Sequence, residues 1–134
     1  MPPAMRLFTL EEARATLPEV IPILERLRQA SLELRAIAAA RAAAARGATA
    51  DGHDLAAPFA AAESDPAGPL RAAIRAAIEA LEARGIELKD PARGLIDFPH
   101  RRGDRIVYLC YELGEPTITS WHDVDAGYAG RQPL

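Results

Sequence analysis

Arg105-Ile106-Val107-Tyr108-Leu109-Cys110-Tyr111-Glu112-Leu113 is the stretch on which the fold turns. Read with a period of two, it puts Ile106, Tyr108 and Cys110 on one face and Val107, Leu109, Tyr111 and Leu113 on the other. A strand that is apolar on both faces is central in its sheet and covered from both sides. Upstream, Leu95-Ile96-Asp97-Phe98-Pro99 reads as its neighbour, joined to it by the turn His100-Arg101-Arg102-Gly103-Asp104. Ile86 to Leu88 is a short strand before that, closed by a turn over Asp90-Pro91-Ala92-Arg93-Gly94. Downstream, Gly114-Glu115-Pro116 turns the chain into a last strand, Thr117 to Trp121. The reading is a small antiparallel meander of three to four strands with a C-terminal tail, over residues 86–134.

One cover for the central strand lies upstream, where the period is helical. Thr9 and Glu12 form a capping box, with Phe8 before it as a staple residue. A second box follows at Thr16-Leu17-Pro18-Glu19, so the expectation is a short helix from Leu10 to Ala15, a bend, and a long helix from Leu17 to about Arg46. Pro22 predicts a kink, since it removes one hydrogen bond. Leu17, Val20, Leu24, Leu27, Leu34 and Ala38 form the apolar stripe, with Ser31 as its polar gap. Residues 47–69 lose the period and read as a mobile linker. A second helix runs from Leu70 to Arg84 with Ile74, Ala77, Ile78 and Leu81 on one face. Gly85 suits its C′ position, and Ile86 at C″ can touch Leu81, as a Schellman motif requires. The two helices make an antiparallel hairpin over 9–84. The whole is one α+β domain, 1–134, with the hairpin packed on the meander. The other cover is the C-terminal tail or a second subunit.

Size and composition agree with this reading. A chain of 134 residues is long enough for one core. The formal charge of −3 gives no reason to expect nucleic acid, and no stretch approaches the ~20 apolar residues of a membrane span. Cys110 is the single cysteine and the start lacks a signal-peptide pattern, so the expected compartment is the cytoplasm. The double-sided apolar strand and the alanine-rich helices predict self-association, most simply a homodimer.

Several stretches resemble one family. They are Phe8-Thr9-Leu10-Glu11-Glu12-Ala13 with Leu17-Pro18, Gly85-Ile86-Glu87-Leu88-Lys89-Asp90, and Gly94-Leu95-Ile96-Asp97-Phe98-Pro99. They continue through Tyr108-Leu109-Cys110, Leu113-Gly114-Glu115 and Trp121-His122-Asp123 to Gly127, Gly130 and Arg131. On these residues the chain resembles the domain of unknown function 2203. The resemblance implies a bacterial origin and a family-typical shape, and it implies no activity, cofactor or catalytic residue.

The sharpest polar constellation is Trp121-His122-Asp123-Val124-Asp125. His122, Asp123 and Asp125 are suitable ligands for a divalent transition metal such as zinc, iron or manganese. Neighbours on a strand point to opposite faces, so His122 and Asp123 converge only if the strand ends at Trp121. Glu112, Asp97 or Glu19 would supply a further ligand. In the plainer reading, His122 and Asp123 cap strand ends and hold the tail by hydrogen bonds. Gly127, Gly130 and Arg131 suggest a backbone nest for an anion; the plainer reading has the tail lying flat and Arg131 paired with Asp97 or Asp125. Asp97 interrupts an apolar strand and needs a partner, for which Arg93, Arg105 and Arg131 are the candidates. Cys110 reads as a small buried hydrophobe; as a nucleophile it would need His100 or His122 beside it. The two functions in view are a metal-binding protein, with or without enzymatic activity, and a non-enzymatic homo-oligomeric module.

Overall fold

The computed structural model describes residues 5–51 and 65–134. Two helices, α1 (Leu10–Asp51) and α2 (Ala67–Ala83), precede five strands: β1 (Glu87–Asp90), β2 (Leu95–Arg102), β3 (Arg105–Glu112), β4 (Ser120–Asp123) and β5 (Gln132–Pro133). The strands form one antiparallel sheet in chain order, with β3 at its centre. The architecture is the expected α+β one, with one more strand than the meander of three to four.

The first helix starts as its capping box dictates. The Thr9 amide donates to Glu12 Oε1 at 2.9 Å and the Glu12 amide donates to Thr9 Oγ1 at 3.0 Å. The second box is no helix start. Thr16 instead donates its hydroxyl to the Glu12 carbonyl one turn back, and α1 runs unbroken through Pro18 and Pro22. The expected division into two helices at Ala15 is therefore absent, and Thr16 is satisfied within the one helix. Helix α1 also continues five residues past Arg46, and α2 begins at Ala67 rather than Leu70. Of the expected linker, residues 52–64 lie outside the described residues.

Ion pairs join the two helices at both ends of an antiparallel hairpin whose packing rests on Ala77 and Leu81 against the α1 leucines. Arg84, just past α2, meets Glu19 near the start of α1, and Arg41 of α1 meets Asp65 just before α2. Asp65 also accepts from the Ala67 amide at 3.0 Å, which satisfies an N–H that the helix start would otherwise leave bare. At the other end, the Gly85 amide donates to the Glu82 carbonyl and the Ile86 amide to the Leu81 carbonyl, with Gly85 at φ 80°. That is the Schellman pattern, and Leu81 and Ile86 are both buried as it requires.

The core lies between the hairpin and one face of the sheet. Leu17, Val20, Leu24 and Leu27 of α1 pack with Phe98, Val107, Leu109 and Tyr111 of β2 and β3. Phe8 meets Phe98 edge to face at 5.1 Å, and its amide donates to the Pro99 carbonyl at 2.7 Å. Beyond Leu34 the α1 stripe reaches solvent, as its dwindling to alanine foretold. No helix among the described residues is long and apolar enough to cross a membrane.

The β2–β3 turn is tighter than expected. Gly103 and Asp104 alone connect the strands, Gly103 takes φ 66°, and His100, Arg101 and Arg102 belong to β2. This sets the register. Arg102 pairs with Arg105, and five pairs along the ladder Asp97 meets Cys110.

Candidate metal centre

The opposite face of the sheet carries the site. Asp97 on β2 lies directly across from Cys110 on β3. On β4, Ser120 is the cross-strand partner of Cys110 and His122 that of Tyr108, which puts His122 diagonally beside Cys110 on the same face. Asp97, Cys110 and His122 are all at most 2% exposed. A carboxylate oxygen, a thiol sulfur and an imidazole nitrogen lie within 4.8 Å of one another, the one such group of three among the described residues.

The hydrogen bonds around His122 decide what it can do. Nδ1 is 2.8 Å from the Asp123 carbonyl oxygen, an acceptor only, so Nδ1 carries a proton and donates it. Nε2 is 3.0 Å from Asp97 Oδ2. One proton is shared across that contact, and Nε2 is the nitrogen whose lone pair a metal would take. Tyr108 packs against the ring at 5.5 Å between centroids and fixes its plane. Asp97 Oδ1 is buried with no N–H or O–H donor, the Cys110 thiol being the donor beside this carboxylate; Arg131 Nε, also buried, donates none. Both residues flank Cys110: Asp97 faces it across the ladder, and Arg131 reaches its carbonyl through Nη2 at 3.5 Å.

Burial sets the electrostatics. It raises the Asp97 carboxyl above its ordinary range, against the opposing pull of His122. It also pushes the Cys110 thiol up to about 12, with help from the Asp97 charge. Cys110 as found is a neutral thiol. Both nitrogens of His122 are engaged, with the Asp123 carbonyl and with Asp97, and the Asp97 carboxylate raises the thiol instead of lowering it, so the sulfur's surroundings keep it protonated and a cysteine-nucleophile reading does not fit. A divalent cation changes this balance, because it favours the thiolate and carboxylate forms that burial alone disfavours.

Of the residues singled out from sequence, His122 stands at the centre and Asp97 is its partner. Strand β4 continues through Asp123 instead of ending at Trp121, so Asp123 points to the other face and pairs with Arg105 at 3.3 Å. Asp125 is exposed in the following turn. Glu112 is paired with Arg93, and Glu19 with Arg84 on the helical side. None of these four joins His122. The arginines proposed for Asp97 are all engaged elsewhere, Arg131 with both oxygens of Glu115 at 2.8 and 2.9 Å. In the tail, the Gly130 and Arg131 amides donate to the carbonyls of Gly127 and Tyr128, so these two amides are taken up within the chain. Cys110 is the member of this group that sequence reasoning passed over. The signal was there: a two-residue turn at Gly103-Asp104 would have placed Cys110 opposite Asp97.

A cavity of about 130 Å³ opens on the three side chains and is walled by Lys89, Leu95, Val124 and Tyr128. Val124 and Tyr128 belong to the tail, which thus supplies the second cover for β3.

The family model described as Uncharacterized conserved protein (DUF2203) matches residues 6–134, and the chain belongs to that family. No curated protein and no solved structure matches the chain.

Proposed function

We propose that this is a small cytoplasmic protein that binds one divalent transition metal through Asp97, Cys110 and His122. The observation that carries the reading is the close grouping of a buried carboxylate, thiol and imidazole, in which Asp97 Oδ1 has no N–H or O–H donor and only the weak Cys110 thiol beside it. A buried carboxylate oxygen served by so weak a donor costs stability, and a cation would remove that deficit. Tetrahedral coordination at ordinary zinc distances sets ligand atoms about 3.3–3.8 Å apart, so a contraction of roughly 1 Å from the observed spacing suffices. The Nδ1–H of His122 donating to a backbone carbonyl is the usual outer contact of a metal-bound imidazole. Thiolate with imidazole and carboxylate favours zinc or iron(II) over magnesium or calcium.

Three protein ligands and an adjoining cavity leave a fourth position free, the pattern of catalytic rather than structural zinc sites. A metal held so would supply Lewis acidity at that position. Elemental analysis of untagged protein tests the reading. One metal per chain in the native protein, lost in Cys110→Ser and His122→Ala, is expected; metal-free protein that takes up none on dialysis against zinc would refute it.

A second reading is a self-associating module without chemistry. It is supported by the far half of the hairpin, where Leu32 is exposed and Ala36, Ile37, Pro66, Pro69 and Leu70 line an apolar groove. Sedimentation at micromolar concentration distinguishes a dimer from a 14.4 kDa monomer.

A further inference from the structure

Lys89 is the single lysine of a chain that otherwise uses arginine, and it stands where β1 loses register. Leu88 pairs with Ile96 and Asp90 with Leu95, which makes Lys89 the extra residue of a β-bulge. Bulges re-aim side chains and recur beside active sites. Here the side chain is laid over the Tyr108 ring, with Nζ 4.8 Å from its centroid, and it lines the cavity above Asp97, Cys110 and His122. Nζ is 3.0 Å from Glu87 Oε1, which occupies one of its three N–H donors. Glu87 is itself held by the Tyr108 hydroxyl at 2.6 Å, so the ammonium has a fixed anchor and two donors to spare.

Charge decides what such a cavity can hold. A divalent cation with one thiolate, one carboxylate and a neutral imidazole has no net charge. A further anion on the free position would leave the buried centre negative, which a low-dielectric site tolerates only beside a cation. Lys89 is the one cation on the cavity wall, and its pairing with the half-exposed Glu87 is screened by solvent. The remaining wall is Leu95, Val124, Gly127 and Tyr128, with Leu95 and Val124 its aliphatic side chains. The volume corresponds to about four water molecules at roughly 30 Å³ each, enough for a carboxylate with a short apolar substituent.

Resting on the metal reading above, we infer that the free coordination position takes a small aliphatic carboxylate, with Lys89 as its counter-charge and Leu95 and Val124 against its apolar end. Cobalt(II)-loaded protein provides the test, because its visible absorption reports a change in the fourth ligand. Acetate or propionate at constant ionic strength is expected to shift that absorption saturably, while acetamide does not. Lys89→Met should keep the thiolate-to-cobalt band and weaken carboxylate binding about tenfold or more, the loss of one charge-assisted hydrogen bond. Lys89→Arg should recover most of it. Lys89 is exposed, so neither variant threatens the fold. Cobalt bound through the thiolate with no response to carboxylate, or an equal response in Lys89→Met, would overturn this inference and leave the metal reading standing. Absence of the thiolate band in the native protein would overturn both.

Discussion

The two faces of the sheet share their strands and differ in kind. Toward the helices, Phe98, Val107, Leu109 and Tyr111 interdigitate with Phe8, Leu17, Leu24 and Leu27, and that face needs nothing outside the chain. Toward the tail, alternate residues of the same strands bury a carboxylate, a thiol and an imidazole and leave two polar atoms poorly satisfied. Apolar burial stabilises roughly in proportion to area, whereas a half-satisfied polar cluster is worse than an apolar one of the same shape. The first face is explained by folding. The second is not explained by apolar burial, and a bound cation is the completion proposed for it.

Substitutions should separate the faces. Phe98→Ala on the helical side removes a fully buried ring that also holds Phe8, and it should cost about 3–5 kcal/mol in chemical denaturation. Metal should not rescue it fully. On the tail side, His122→Ala without metal should cost about 1–3 kcal/mol, because it leaves the buried Asp97 only the weak Cys110 thiol as a partner. The double variant Asp97→Leu with His122→Leu should instead match or exceed the native melting temperature while losing metal, since a buried polar pair is commonly no better than packed apolar groups. A double variant as unstable as Phe98→Ala would show that the polar face is structural after all.

The faces were also unequally legible. The helical side could be read because each device is local: the Thr9–Glu12 box, the Leu17–Leu27 stripe, the Gly85–Ile86 stop. The unbroken α1 could not, because Thr16 satisfies itself by a bond within the helix that mimics a cap in sequence. The tail side depends on register. Asp97 and Cys110 are related by the tight Gly103-Asp104 turn and were within reach of sequence reasoning. His122 joins them only through the β3–β4 pairing across residues 113–119, whose irregular course has no sequence rule. Asp123 was attractive by proximity to His122 and was excluded by one further residue pair in β4.

Two smaller effects sharpen the contrast. Metal affinity should rise with pH from 6 to 8, because binding must displace the thiol proton and the one shared by Asp97 and His122, about two protons per ion. The sign follows from burial, which pushes Cys110 up to about 12 and raises Asp97, so acid strips the metal and base favours it. Affinity that is flat over this range, measured against a competing chelator, would mean that neither group is a ligand. Thr9→Ala, on the helical side, should cost about 1 kcal/mol and leave metal affinity unchanged. A change in affinity there would mean that the two faces are coupled.

Cobalt(II) titration of the untagged protein decides whether the tail face is a metal site with Cys110 as a ligand. A near-ultraviolet thiolate-to-cobalt band should appear, saturate at one ion per chain, disappear in Cys110→Ser and be displaced by zinc. Saturating cobalt with no such band, or a band that survives Cys110→Ser, would contradict that assignment.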